Sequence, residues 1–170
     1  MDNINFFKRT LIVCPHTDDG EINCGGTISK LIESGAEVTV LALSHIYGKL
    51  DLSGEFVTSM KLLGVKDYFI GNFTTRYFER DRQEILQSLY DIRNEFDTIF
   101  FSDPDDHNSD HSTVGFECLR AFKNHNLIAY GSPFNSLHLK ENYFCELSAE
   151  HLLKKIDAIK CYKSQSHRTY

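Results

Sequence analysis

Thr10-Leu-Ile-Val-Cys14 is a short apolar run that ends at Pro15, as expected of a fully buried strand followed by a loop. From Cys24 to Ser34 the apolar residues recur with helical spacing, and the pattern stops at Gly35, a residue type that commonly ends helices. A second apolar run, Val38-Thr-Val-Leu-Ala-Leu43, follows. Two strands joined by a helix form a βαβ unit, whose strands are parallel and whose crossover is right-handed. These residues predict an α/β fold.

Helical and extended patterns continue to alternate along the rest of the chain. Helices are predicted at residues 54–63, 82–96, 110–124 and 148–162, and strands at residues 67–70, 98–101, 127–130 and, as an edge strand, 143–147. This alternation predicts a doubly wound, mostly parallel sheet flanked by helices, which is a Rossmann-like architecture. Because no repeat or linker interrupts the pattern, a single domain over residues 1–170 is expected.

Composition and charge narrow the class of ligand. Of the 170 residues, 41% are hydrophobic and 25% are charged, which excludes a disordered chain. The net charge is -6 and there is no long basic run, so a small-molecule ligand is expected rather than nucleic acid.

No apolar run approaches the roughly 20 residues of a membrane span and no signal peptide is evident, so a cytoplasmic location is expected. The five cysteines form no C-x-x-C pair and are expected to be buried free thiols.

Candidate metal ligands are concentrated in two loops. In an open α/β sheet the ligand crevice lies beyond the carboxyl ends of the strands. Pro15-His-Thr-Asp-Asp-Gly20 follows the first strand, and Ser102-Asp-Pro-Asp-Asp-His-Asn-Ser-Asp-His111 follows the strand at 98–101. Imidazoles and carboxylates from two such loops supply the mixed nitrogen and oxygen set that zinc accepts, with a position left for water. Acidic loops after strands also cap helices, but two acidic clusters at one edge would repel each other without a cation.

Three segments carry a resemblance to a known family. Pro15-His-Thr-Asp-Asp-Gly-Glu-Ile-Asn-Cys-Gly-Gly-Thr-Ile28 resembles the opening motif, usually His-Pro-Asp-Asp-Glu and a Gly-Cys-Gly-Gly turn, of the LmbE/PIG-L-like zinc-dependent N-deacetylases. Asp106-His-Asn-Ser-Asp-His111 resembles that family's second motif, an Asp-His pair that opens a later helix. Lys160-Cys-Tyr-Lys-Ser-Gln165 is similar to a family segment near the carboxyl end. The motifs occur in the family's order, so the resemblance extends from about Thr10 to Tyr170.

The resemblance implies a role for each motif residue. His16, Asp19 and His111 are implied to bind zinc, or another divalent ion such as Fe²⁺, and Asp18 is implied to be the general base. Neighbouring carboxylates on an extended or turning backbone point in different directions, so one can bind metal while the other faces the attacking water. Asp110 either hydrogen-bonds an imidazole or is simply an acidic residue at a helix start. The implied activity is removal of an acetyl group from an N-acetylated sugar or related small amide.

This chain departs from the family pattern at two informative positions. Asn108 stands where many members carry a histidine that is thought to stabilise the oxyanion, so it either donates from a neutral amide or caps the helix that begins near Asp110. His107 and His45 are alternative donors. Leu52 stands where many members carry an arginine, so this chain lacks a guanidinium for substrate contacts at that position.

Two other classes of function stay open at this point. One is a metal-retaining binding protein or weakened pseudo-enzyme of the same fold, motivated by Asn108, Leu52 and a short carboxyl-terminal tail. The tail also leaves room for a partner chain, as in a homo-oligomer, to complete the fold. The second class of function is a phosphate- or nucleotide-binding domain that uses Asp18 and Asp19 with Mg²⁺. The histidines of both motifs argue against it, because Mg²⁺ prefers oxygen ligands.

Overall fold

The computed structural model describes residues 4–132, 134–136 and 141–168. The strands are β1 (Arg9–His16), β2 (Glu37–Ser44), β3 (Ile46–Tyr47), β4 (Leu50–Asp51), β5 (Asp67–Ile70), β6 (Thr98–Ser102) and β7 (Asn126–Tyr130). The α-helices are α1 (Asp19–Glu33), α2 (Ser53–Leu63), α3 (Phe78–Ile92), α4 (Ser109–Ala121) and α5 (Ala149–Ile159). None of the helices in these ranges is long and apolar enough to cross a bilayer.

Five strands form one parallel sheet in the order β5-β2-β1-β6-β7. The interior residues of β1 are all buried, because helices cover both faces of the sheet. One apolar core lies between the sheet and α1, α2 and α5, and the other lies between the sheet and α3 and α4. The predicted doubly wound α/β fold is therefore confirmed.

Successive crossovers lead in opposite directions from β1. The chain moves from β1 to β2 and β5 on one side, and then returns to β6 and β7 on the other. The crevice between the carboxyl ends of β1 and β6 is thus the switch point, where open α/β sheets bind ligands. His16 ends β1 and Ser102 ends β6, so both predicted ligand loops start at this crevice.

Helix α1 begins five residues earlier than the apolar pattern predicted. It starts at Asp19, whose carboxylate in the first turn interacts favourably with the positive end of the helix dipole. Gly25 and Gly26 consequently lie inside the helix. A Cβ on Gly26 would lie 2.5 Å from Leu147 Cδ1, so this glycine permits close packing of a neighbouring segment rather than approach of a ligand.

The edge strand predicted at residues 143–147 is wrong. Residues 141–148 have no regular secondary structure and lie against α1. The Lys30 ammonium group donates to the Glu146 carbonyl oxygen at 2.9 Å, and Leu147 packs on Gly26. Leu147 therefore packs on a helix, which alternation alone does not distinguish from packing on a sheet.

Helix α3 and a short hairpin also differ from the sequence prediction. Helix α3 begins at Phe78, four residues before the predicted start, because the fully buried Phe78 extends the apolar stripe of Ile85 and Leu89 across the charged first turn. Strands β3 and β4 are antiparallel and turn at Gly48, whose φ of 61° favours glycine. Each strand has only two residues, too few to give a sequence pattern.

All five cysteines are free thiols, but the prediction that they are buried is wrong for two of them. Cys14, Cys24 and Cys118 are buried, whereas Cys145 and Cys161 are half-buried.

Candidate metal centre and active-site pocket

The structure brings the three predicted metal ligands together. His16 is the last residue of β1, Asp19 is the first residue of α1, and His111 lies in the first turn of α4. One ligand atom from each lies within 4.8 Å of the other two. Asp19 Oδ2 is 3.3 Å from His16 Nδ1 and 3.4 Å from His111 Nε2. These two nitrogens and the carboxylate therefore face a common point at the switch crevice.

A carboxylate holds the outer nitrogen of each imidazole. His16 Nε2 is 3.0 Å from Asp110 Oδ2, and His111 Nδ1 is 2.9 Å from Asp106 Oδ2. Contacts of this kind fix the orientation of metal-binding histidines and raise their basicity. Asp110 thus contacts an imidazole, which was one of its two predicted alternatives. Asp106 was not singled out from the sequence.

Two backbone N–H groups, one in the loop after β5 and one at the start of α3, donate to Asp110. The Arg76 backbone N–H donates to Asp110 Oδ2 at 2.7 Å, and the Phe78 N–H donates to Oδ1 at 3.4 Å. Arg76 adopts a φ of 73°, in the left-handed region that non-glycine residues rarely occupy. The same residue that adopts this unfavourable backbone conformation therefore supplies an N–H donor to Asp110, the carboxylate that holds His16.

Three carboxylates, those of Asp19, Asp106 and Asp110, surround the two imidazoles of this cluster. Burial lowers the pKa of His16, but hydrogen bonds to Asp110 and Asp19 outweigh burial and raise the pKa to about 10. Burial also opposes protonation of His111, yet the neighbouring Asp19 and Asp106 raise its pKa above the ordinary value. The cluster therefore stabilises positive charge at its centre.

The donor set itself indicates whether a metal fits at this centre. Two imidazole nitrogens and one carboxylate oxygen match the three protein ligands of a catalytic zinc site, and the same set is found with non-haem Fe²⁺. The outer carboxylates complete the arrangement that such ligands usually have. His16, Asp19 and His111 therefore fit a divalent cation.

Asp18 lies beside the ligand cluster with a different set of contacts. It is the N-cap residue of α1 with φ and ψ of -94° and -13°, so its backbone is helical rather than extended, and its side chain makes no cap hydrogen bond. Asp18 Oδ2 instead accepts from Arg168 Nη1 at 3.4 Å. The carboxylates of Asp18 and Asp19 therefore contact different partners.

Asn108 caps helix α4. Its Oδ1 accepts from the Asp110 N–H at 3.0 Å, which fixes the orientation of the amide. Within the described ranges, the Nδ2 group makes no hydrogen bond, and Asn108 lines the pocket described next. Capping therefore leaves the amide donor available.

A pocket of about 460 Å³ opens over the three ligands. This volume falls in the range of about 300–1,000 Å³ typical of small-molecule sites. His45 lines the wall, with its Nδ1 3.0 Å from Asp51 Oδ1, and Leu52 lies in the same wall. His107 is exposed and is not among the lining residues of this pocket. Of the two alternative donors, only His45 therefore borders the pocket.

The segment after α5 packs against the first ligand loop. The buried Tyr162 hydroxyl donates to the Thr17 carbonyl oxygen and lies 2.8 Å from Glu21 Oε1. Burial raises the pKa of Glu21 to about 8. Ser164 donates from its backbone N–H and its hydroxyl to Glu55 at 2.9 and 2.6 Å. These contacts fix the path of the segment, and Arg168, a few residues further along the chain, lines the pocket.

Known proteins resemble this chain in sequence and in fold. The PIG-L family model, described as GlcNAc-PI de-N-acetylase, matches residues 11–122. The diacetylchitobiose deacetylase of Thermococcus kodakarensis is 31% identical over 195 aligned positions, which cover 95% of this chain and 71% of that protein. The N,N'-diacetylchitobiose deacetylase of Pyrococcus horikoshii has a TM-score of 0.72 at 23% identity, covering 93% of this chain and 70% of that chain.

The same fold also occurs with a different reaction. The 4-carboxy-2-hydroxymuconate hydratase of Pseudomonas putida has a TM-score of 0.73 at 19% identity, covering 94% of this chain and 80% of that chain. Fold alone therefore does not determine the reaction, and the family assignment depends on the sequence match. That match covers well over half of the chain. The chain belongs to the PIG-L, or LmbE-like, family of deacetylases.

Proposed function

We propose that this chain is a metal-dependent amide hydrolase that removes an acetyl group from an N-acetylated sugar. One observation carries the proposal: ligand atoms of His16, Asp19 and His111 converge on a pocket of about 460 Å³ that Asp18 also lines. The substrate class is supported by the Thermococcus relative, a diacetylchitobiose deacetylase that aligns with 95% of this chain.

Zinc is the metal we assign to the site. His16, Asp19 and His111 would hold it, and the two imidazoles favour zinc or Fe²⁺ over Mg²⁺. A divalent cation held there supplies a Lewis acid that polarises the amide carbonyl and lowers the pKa of a water molecule. Asp110 and Asp106 keep the two imidazoles in orientation.

Asp18 acts as the general base and then as the general acid. Its carboxylate takes a proton from the attacking water, whose oxygen forms the new bond to the acyl carbon. When the carbon–nitrogen bond breaks, Asp18 returns that proton to the leaving nitrogen, so the products are acetate and a free amine. The position of Asp18 next to the ligand Asp19 and in the pocket lining supports this role.

Asn108 stabilises the oxyanion of the tetrahedral intermediate through Nδ2. The cap contact from the Asp110 N–H to Oδ1 fixes the amide plane, so the donor is held in place before the substrate arrives. A neutral amide serves as a donor at every working pH, unlike an imidazole.

Two substitutions separate the capping and catalytic roles of Asn108. Asn108→Ala removes both the cap and the donor, so the free energy of unfolding should fall by about 1 kcal/mol. Asn108→Ser keeps a cap acceptor and should retain the parental stability. The kcat of both variants should fall by about 10²–10³-fold, with little change in KM, because the donor acts mainly in the transition state. Parental kcat in Asn108→Ser would show that Asn108 serves only as a cap.

Asp110→Asn tests the carboxylate that holds His16. The amide oxygen can still accept from the Arg76 N–H, but the negative charge that supports the imidazole is lost. Metal affinity, measured by competition with a chromogenic chelator, should fall by about 10–100-fold. Asp105→Asn, an exposed carboxylate in the same loop, is the matched control and should keep the parental affinity. Unchanged affinity in Asp110→Asn would contradict this role.

A substrate panel tests the proposed function as a whole. Free-amine release should be measured for zinc-loaded protein with N,N'-diacetylchitobiose, N-acetylglucosamine and, as a non-sugar amide, an N-acetylated amino acid. We expect release from the sugars and little from the amino acid. Tight metal binding without release from any of the amides would instead favour the binding-protein alternative.

A further inference from the structure

The segment after α5 places a guanidinium group in the wall of the pocket. The Tyr162 side chain is buried, Ser164 is bound to Glu55 of α2, and Gln165 is buried. The Arg168 backbone N–H donates to the Gln165 carbonyl oxygen at 2.9 Å. Arg168 is therefore supported by anchored residues, although it lies far along the chain from both ligand loops.

The Arg168 side chain connects two other walls of the pocket. Its Nη1 is 3.4 Å from Asp18 Oδ2, and its Cζ lies 4.7 Å from the centre of the Tyr47 ring. Tyr47 belongs to the β3–β4 hairpin. Asp18, Tyr47 and Arg168 all line the same pocket. The guanidinium thus joins the catalytic loop to the hairpin.

The contact with Arg168 gives the Asp18 carboxylate a positively charged partner. Asp18 makes no side-chain cap contact with α1, so the helix does not define its orientation in that way. The side chains of Asp18 and Arg168 are 12% and 30% exposed, so the pair is shielded from solvent only in part. A pair of this kind contributes little to folding stability but can still restrict where a carboxylate points.

We infer that Arg168 is a positioning residue that holds Asp18 in the orientation needed for proton transfer. The inference rests on the proposed function, because it gives Asp18 the role of general base. Tyr47 supports the face of the guanidinium, and the residues from Tyr162 to Gln165 support its backbone. The segment after α5 is thereby part of the catalytic apparatus rather than only a cover for α1 and α2. A misplacement of about 1 Å in a catalytic group can cost about 10²-fold in rate.

The test measures kcat and KM for N,N'-diacetylchitobiose in a set of matched variants. Arg168→Ala should lower kcat by about 10–100-fold while KM and bound zinc stay near the parental values. Arg168→Lys keeps the charge but loses the planar fork, so its kcat should be intermediate. Arg80→Ala is the control, because Arg80 also pairs with an aspartate, Asp81, and lies 5.0 Å from the centre of the Tyr77 ring, yet does not line the pocket. Its kinetics should be parental.

A double mutant shows whether Arg168 acts through Asp18. In an Asp18→Asn background, measured with enzyme in excess over substrate, Arg168→Ala should cause no further loss of rate, since the group it positions is already absent. An equal loss in both backgrounds, a parental kcat in Arg168→Ala, or a raised KM with unchanged kcat would each overturn the inference.

Failure of the inference and failure of the proposed function give different results. If the parent protein is active and Arg168→Ala leaves kcat unchanged, only the inference about Arg168 fails. If the zinc-loaded parent protein releases no amine from any N-acetyl sugar, the proposed function fails, and the inference fails with it. Melting temperatures of all variants, expected near the parental value, exclude a general loss of structure as the cause of a lower kcat.

Discussion

His111→Ala is expected to lose bound metal and deacetylase activity together. His111 supplies one of two imidazole ligands, so its removal should weaken metal binding by more than the roughly 10–100-fold typical of outer-shell changes. Metal content after desalting, measured by elemental analysis alongside amine release, checks this result. His107→Ala removes an exposed imidazole from the same loop and should retain the metal.

The loss of His111 also leaves the buried Asp106 without its imidazole partner, so some loss of stability is expected. His16→Ala gives an independent test, because Asp110 keeps two backbone donors when the imidazole is absent. A tightly bound zinc in either variant, at the parental level, would contradict the ligand assignment.

Asp18→Asn should separate metal binding from catalysis. The amide keeps the size of the side chain but cannot accept a proton from water, so kcat should fall by about 10²–10⁴-fold. Asp18 is not one of the three converging ligands, so the metal content should remain parental. Steady-state kinetics and metal analysis on the same preparation measure both quantities. Parental turnover with metal retained would rule out Asp18 as the general base.

The meeting of the two ligand loops was predictable because parallel strands share one carboxyl edge. His16 follows the first buried run and His111 lies beyond the loop after β6, so the βαβ pattern predicted both at the same edge of the sheet. The strand order then places β1 and β6 side by side, which brings the two histidines close enough to share Asp19. The fold class and the two ligand loops thus followed from local periodicity and one topological rule, whereas the choice of His16, Asp19 and His111 within those loops came from the family resemblance.

The outer contacts of the site could not be predicted in the same way. Asp103, Asp105 and Asp106 are close neighbours in one acidic loop, and only the path of that loop makes Asp106 the partner of His111. Arg168 reaches Asp18 because α5 packs on α1 and α2, a tertiary contact with no sequence signature. The similarity of the Lys160-Cys-Tyr-Lys-Ser-Gln165 segment to the family was the one signal that pointed to this part of the chain.

Zinc titration into metal-free protein tests most directly the central claim that His16, Asp19 and His111 form one catalytic metal site. Chelator-stripped protein is mixed with increasing zinc, and amine release from N,N'-diacetylchitobiose is measured at each step. The proposed site predicts almost no release without metal, and a rise that reaches its plateau at about one zinc per chain. Release at the full rate from protein with almost no bound metal would contradict it.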